Sequence, residues 1–527
     1  MIASNLKTPG VYINEINAFP NSVVPIATAI PAFIGYTPTA EYQGQSYINK
    51  PQKISSFSDF KAIYMLPDPA APAAAAQQYS PQYYLTALKD QPTSGKYIKV
   101  SDTYYSIAPD PSTIYYLYNS IRLFYENGGA DAYIVSVGTY GPASGTAMTD
   151  SSQQIINSNV KLNDLQAGLE LLQNEEEPTI YICPEATLLS AADNGTLMQS
   201  MLLQASSMQT AVCLFDIIGG RNPDPIGYST DIDNFRNSTG SNGLKYGAAY
   251  YPFVGTTIMQ SSDIDFSNLN GGDVKQLDPL LNPPTAPNAA AATILGMIET
   301  PPANPLTNQQ YNDSLTAASP TYGQIINQVL AEANMLPPSG GMAGIYTVND
   351  NDLGVWHAPA NTSMVGVASL PYRFSSAQQE NLNVDAVSGK SINVIRFFNG
   401  QGILVWGART LDGNSQDWRY VSVRRTVTFL EQSVKLAARA YVFEPNDANT
   451  WSGVKSMISS FLTSIWKEGG LQGAQAADAF NVEIGLGSTM TAEDILNGFM
   501  NVTVKVAVVR PAEFIVITFQ QQQATSG

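Results

Sequence analysis

Near its start the chain alternates apolar and polar residues over a very short span. In TPGVYINEINAFP, residues 8–20, Val11, Ile13 and Ile16 sit among polar neighbours between Pro9 and Pro20. This predicts a short strand with no hairpin partner beside it in sequence. Residues 23–37, VVPIATAIPAFIGYT, are apolar and punctuated by Pro25 and Pro31, so they read as extended rather than helical. From about 119 the pattern regularises. SIRLFYENGG (120–129) reads as a helix stopped by Gly128 and Gly129, followed by a strand at 132–138. Helices at 162–173 and 197–208 then alternate with strands at 178–184, 211–217 and 246–254, which predicts an α/β layer with a largely parallel sheet.

The last third is the most regular. Strands are expected on both sides of Asn399-Gly400-Gln401-Gly402. Apolar residues at 427, 430, 434, 437, 438 and 441 lie on one stripe of a helix, and those at 454, 457, 458, 461, 462, 465 and 466 repeat the pattern. Residues 501–509 alternate like a half-buried strand, Pro511 breaks it, and FIVITF (514–519) predicts one last isolated strand. Two stretches lack a clean period. Residues 38–118 are rich in Tyr, Ala and Pro, and 255–335 read as loop or linker ahead of a helix at 322–335.

Composition changes the picture in two places. With 527 residues, about three or four domains are expected. Charged residues make up only 13%, against about 25% in ordinary soluble domains, and interface centres are depleted in charge. The net charge of −17 argues against a dominant nucleic-acid or anionic-membrane role, because phosphate recognition needs clustered cations. The opening MIASNLKTPG lacks the apolar stretch of a secretory signal, and no run approaches 18 apolar residues. Cys183 and Cys213 lie in apolar runs and are expected as core thiols.

Catalytic chemistry finds little support. His357 stands alone, without a nucleophile motif to serve. IGLGST (484–489) lacks the third glycine of a dinucleotide loop. NDNDLG (349–354) lacks calcium-loop spacing and reads as a solvated turn, and Glu175–Glu177 as a solvated helix end. No cofactor or metal is implied. The stretch 418–470 stands apart. It carries Arg419, Arg424, Arg425, Lys435, Arg439, Lys455 and Lys467 against Glu431, Glu444, Asp447 and Glu468, a cationic excess in an acidic chain. It is either ordinary helix decoration or a face for an acidic partner.

Several segments in order resemble one family. TPGVYINEI, AFIGYT, FYENGGADAYIVSVG and YGAAYYPF are similar to contractile tail sheath proteins of bacteriophages and phage-like injection machines. LPPSGGMAGIYTVNDNDLGVWHAPAN, WGARTLDGNSQDWRYVSVRRTVTFLEQSVKLAARAYVFEPND and NTWSGVKSMISSFLTSIWKEGGLQG carry the resemblance furthest. The match spans roughly 8–37, 120–254 and 336–519. Its length and insertions are closest in style to sheaths of extracellular contractile injection systems.

The resemblance implies a multidomain α+β / α/β fold. A donated arm (1–25) is followed by an outer α/β domain (26–37 and 119–365, with an insertion near 255–335). A variable module (38–118), an inner core domain (366–510) and a second donated arm (511–527) complete it. It implies that Val11, Tyr12, Ile13 and Ile16, and Phe514, Ile515, Val516 and Ile517, add strands to neighbouring copies; pairing within their own chain is the alternative. Lys455, Lys467, Arg424 and Arg425 are the expected inner-tube contacts. The partners implied are further copies in stacked hexameric rings, an inner tube protein, and baseplate and terminal cap proteins, with no nucleic acid and no membrane insertion. Assembly in the bacterial cytoplasm is expected, into a phage tail or a released particle. An extracellular α/β hydrolase is the alternative reading of the same α/β pattern.

Overall fold

A computed structural model describes residues 22–67, 77–92, 97–100, 102–149, 154–224 and 226–517. The expected donated strand at Val11, Tyr12, Ile13 and Ile16 lies outside the described residues. The chain divides into two units, one formed by residues 27–425 and the other by 1–26 with 426–527.

The larger unit is organised by a mixed sheet of eight strands. In chain order these are β1 (Pro31–Thr37), β2 (Gln52–Ile54), β3 (Ala132–Thr139), β4 (Ile180–Ile182), β5 (Val212–Asp216), β6 (Gly247–Tyr251), β7 (Ile392–Phe398) and β8 (Gly402–Trp406). Their order across the sheet is β8-β7-β6-β5-β4-β1-β3-β2. The six central strands are parallel, and the two edge strands run antiparallel to their neighbours. Residues 392–406, grouped with the inner domain in the sequence reading, extend this sheet.

Strands covered on both faces read as continuous apolar runs, and β1 and β5 are buried at every position. Adjacent residues on β1 show where the covering helices lie. The Phe33 ring meets Phe124 of α1 (Leu117–Glu126) with centroids 5.4 Å apart. Ile34, the next residue, faces α2 (Leu162–Leu171). Gly168 on that helix sits so close that a Cβ would fall 2.5 Å from Val137 and 3.0 Å from Ile34. Successive strand residues point to opposite faces, so α1 and α2 cover opposite sides of the sheet. Helix α3 (Ala191–Met208) packs against α2, and α5 (Ser339–Leu353) against α1; α4 (Tyr228–Ser238) follows β5.

The two stretches without a clean period are structured. Tyrosine-rich strands at 83–88, 97–100 and 103–109 form an antiparallel sheet of three. Residues 255–335, read as linker, contain helices at 289–299 and 308–318 before the expected one at 320–333. Caps explain the first two: Asn288 accepts from the Ala291 amide, and Thr307 with Gln310 forms a capping box. Helix α5 also replaces a reading of turn, and NDNDLG is its last turn.

Two carboxyl groups lie inside the large unit. Glu185 is fully buried just beyond β4; its Oε1 accepts from the Leu117 amide at the N-terminus of α1, and Oε2 has no partner. Gly35 makes room for it, since a Cβ there would fall 2.2 Å from Oε2. Asp216 ends β5 and accepts from the Ser339 amide and hydroxyl at the start of α5. Burial pushes Glu185 up to about 8 and Asp216 up to about 7, against the pull of those donors.

The smaller unit is built on two helices. Helix α6 (Val421–Ala438) begins in the larger unit and enters the smaller at Thr426. Its apolar stripe differs from the one expected: Thr426, Thr428, Phe429, Leu430 and Ser433 are buried, whereas Val427, Val434 and Ala437 are half-buried. Helix α7 (Ala448–Lys467) is capped by Asp447, which accepts from the Asn449 and Thr450 amides. It buries Val454, Met457, Ile458, Phe461, Leu462 and Ile465 along one stripe, as its spacing predicts, with Trp466 half-buried at the edge. Phe461 packs on Phe429 with ring centroids 6.0 Å apart.

Two outcomes are expected. An unfolded carboxyl releases its proton above about pH 4.3, so between pH 5 and 8 the folded chain holds protons that the unfolded chain has lost. Stability therefore falls as pH rises through that window. Glu185→Gln should melt with the native chain near pH 5 and above it near pH 8, by on the order of 1–3 kcal/mol; thermal melts at the two pH values check this. Phe461→Ala should cost the smaller unit about 3–5 kcal/mol, read as lost amide protection across 448–467 in hydrogen exchange.

Candidate assembly interface

The smaller unit contains an antiparallel pair, β9 (Phe480–Ile484) and β10 (Val502–Val506). Phe480 opposes Val506, Val482 opposes Val504 and Ile484 opposes Val502. These residues share one face, and α7 packs against β9. Asn481, Glu483, Thr503 and Lys505 take the other face, with Lys505 3.6 Å from Glu483. The sequence reading found the alternation of β10 and missed β9, whose five residues merge into a glycine-rich loop.

A two-stranded pair is marginal by itself, and each outer edge presents backbone donors and acceptors. Beyond β10 the chain continues through a short pairing of Val508 with Leu471. Pro511 then ends the ladder, as a residue without an N–H must. Phe514, Ile515, Val516 and Ile517 follow, 70–88% exposed, and no described strand pairs with them. Four consecutive apolar residues facing water forgo about 1.5–3 kcal/mol each relative to burial.

The four expected tube-contact residues separate into two pairs. Lys455 and Lys467 are exposed on α7, Lys467 opposite the apolar stripe and Lys455 flanking it, with Ser452, Ser456, Ser460 and Ser464 on the exposed side between and around them. Arg424 and Arg425 are turned inward within the larger unit, which corrects the expectation that they face a partner. The Arg424 guanidinium lies 4.4 Å from the Trp418 ring and 5.0 Å from Tyr246. Arg425 pairs with Asp350 on α5 through both oxygens, at 2.9 and 2.5 Å, with both side chains nearly fully buried. Charge counting could not separate these cations, because the acid that meets Arg425 lies in the stretch read as a solvated turn.

Other candidate chemistry stays apart. His357 is exposed beyond α5, and Cys183 and Cys213 are buried free thiols in the core, as expected. A cavity of about 330 Å³ opens beside the end of β5, lined by Asn194, Arg221, Asp231 and Phe253 among others, with no His or Cys in its wall. Arg221 there is paired with Glu332 at 2.8 Å, and burial pushes Asp231 up to about 6. Among the described residues no group of His, Cys, Asp or Glu is arranged to hold a metal, and no helix is long and apolar enough to cross a membrane.

Comparison with known proteins bears on the same region. Residues 414–522 match the family model described as phage tail sheath C-terminal domain. The tail sheath protein of Vibrio phage KVP40 is 30% identical over 139 residues, covering 26% of this chain and 20% of that protein. A putative prophage major tail sheath protein of Pseudomonas aeruginosa is 23% identical over 149 residues, covering 28% and 37%. The match thus spans well under half the length of either relative. In fold the likeness extends over nearly the whole chain. The helical sheath of the anti-feeding prophage in its contracted state superposes with a TM-score of 0.56 and 25% identity, covering 98% of this chain and 100% of that one. The contracted PVC sheath complex of an extracellular contractile injection system gives 0.57 and 23%, covering 98% and 99%. The C-terminal match and the full-length likeness in fold fall on one set of proteins, the contractile tail sheaths.

Proposed function

We propose that this chain is the repeating subunit of a contractile sheath. Copies stack as hexameric rings around an inner tube, between a baseplate and a terminal cap. On release the rings shift to a second packing, and the tube is driven through a target envelope. The observation that carries this reading is the bare apolar segment Phe514–Ile517 beside a two-stranded pair with open edges. An edge and an unpaired strand answer each other's unmet hydrogen bonds when they come from different copies. In this reading Val11, Tyr12, Ile13 and Ile16 of the other arm join the same kind of sheet.

The physical demands of contraction fit such strands. Backbone pairing holds while the neighbouring surfaces slide, and Pro511 lets the chain turn before the paired segment begins. No cofactor or nucleotide enters. The work comes from the difference in interface free energy between two packings, a few kcal/mol per subunit, added over many cooperative copies. The inner tube meets the serine face of α7, where Lys455 and Lys467 supply weak, screened attraction that releases on firing. The particle is assembled in the bacterial cytoplasm and acts as a phage tail or as a released injection device.

Deleting residues 1–20, or 512–527, should leave soluble monomers or rings that never lengthen. Electron micrographs of the purified variants check this, and contractile cylinders from either deletion would end the strand-exchange reading. Lys455→Glu with Lys467→Glu should keep the fold and lower tube-templated assembly several-fold, most visibly at low salt. Sedimentation with and without tube measures it, and normal yields would move the tube contact elsewhere.

A further inference from the structure

The chain passes between the two units twice, at residues 26–27 and 425–426. Both passages are tied to α6. Within the larger unit, Arg425 Nη2 donates to the Thr28 carbonyl at 2.8 Å while the same guanidinium grips both oxygens of Asp350. Thr28 also accepts from the Thr179 hydroxyl at 2.7 Å, next to β4. The Arg425 guanidinium lies 4.6 Å from the Tyr346 ring, whose hydroxyl bonds that of Tyr250 on β6 at 2.7 Å. Within the smaller unit, the Ile26 amide donates to the Ser433 hydroxyl at 3.2 Å, two turns further along α6. Ser433 is fully buried.

We propose that Arg425 is a clasp that binds the two chain passages into one strap and anchors that strap in the central sheet. A flat, three-way grip of this kind suits an arginine. One nitrogen serves Asp350, the other serves Asp350 and the Thr28 carbonyl, and Tyr346 covers the face. Asp350 holds the guanidinium from α5, so neither ion is left buried alone. Tension on the N-terminal arm then reaches the sheet through the Thr28 carbonyl and Arg425, rather than through a single extended chain. The clasp stands on the geometry alone; its service under contraction rests on the sheath reading.

Hydrogen exchange on the isolated full-length chain tests it without any polymer. Arg425→Lys keeps a cation beside Asp350 but lacks the fork that also reaches Thr28. Arg425→Leu with Asp350→Leu removes both charges, so that no lone ion remains to unfold the unit. In both variants the amides of 26–30 should exchange about tenfold faster or more, the loss of a hydrogen bond to a charged group. Protection in β5 (Val212–Asp216) should stay unchanged. Unchanged exchange at 26–30 in both variants would overturn the proposal. So would an equal loss across the whole of 27–425, which would make Arg425 an ordinary core residue. Sheath formation by a variant that has lost protection at 26–30 would dismiss the mechanical role alone and leave the sheath reading standing.

Discussion

A sheet edge in water must be paired, covered or kept short, and this constraint shapes both units of the chain. The large sheet meets it internally. One edge is the three-residue β2. The other, β8, is shielded where Val405 exchanges hydrogen bonds with Asn361 and Thr362. The small pair of β9 and β10 meets it only in part. One face rests on α7, and no third strand among the described residues completes it. The apolar segment at 514–517 shows the complementary lack. The larger unit thus closes its sheet with its own chain, whereas the pair in the smaller unit keeps open edges among the described residues.

Charge is divided along the same line. Deep in the larger unit, Arg425 with Asp350 and Arg221 with Glu332 are held at short range and sheltered from water. Such pairs contribute little net stability over apolar replacements, but they are costly to break singly, so they fix geometry. On α7 the lysines stand in solvent, where ion pairs are weak and sensitive to salt.

Much of the architecture was legible in the chain. Parallel strands covered on both sides must be apolar throughout, so β1, β3, β4, β5 and β6 announced themselves, and α7 showed its buried stripe in its spacing. The failures share a cause: local pattern is silent when long-range partners decide. The Ala-rich helix at 289–299 lay between proline pairs that suggested linker. The acidic NDNDLG of α5 suggested a turn, yet it closes a helix whose Gly340 and Gly344 are there because α1 packs too close for a Cβ, which would meet its backbone oxygens at 2.5 and 2.7 Å. In α6, Thr and Ser at 426, 428 and 433 are buried where apolar residues were sought. The inward turn of Arg424 and Arg425 depended on an aromatic pair and an acid far away in sequence, which no stripe reveals.

The close approach of Gly35 to Glu185 has a consequence for how such chains drift apart. A methyl group at position 35 would occupy the space of the Glu185 carboxyl, at a point where the β1–β3 register also shifts. Neither position can vary alone. A larger residue at 35 is admissible only after 185 has shrunk, and a shortened 185 leaves the Leu117 amide at the head of α1 without its acceptor. Substitution there has to proceed as a linked exchange in a set order, which makes this small contact between a strand and a loop a slow step in the divergence of the eight-stranded sheet.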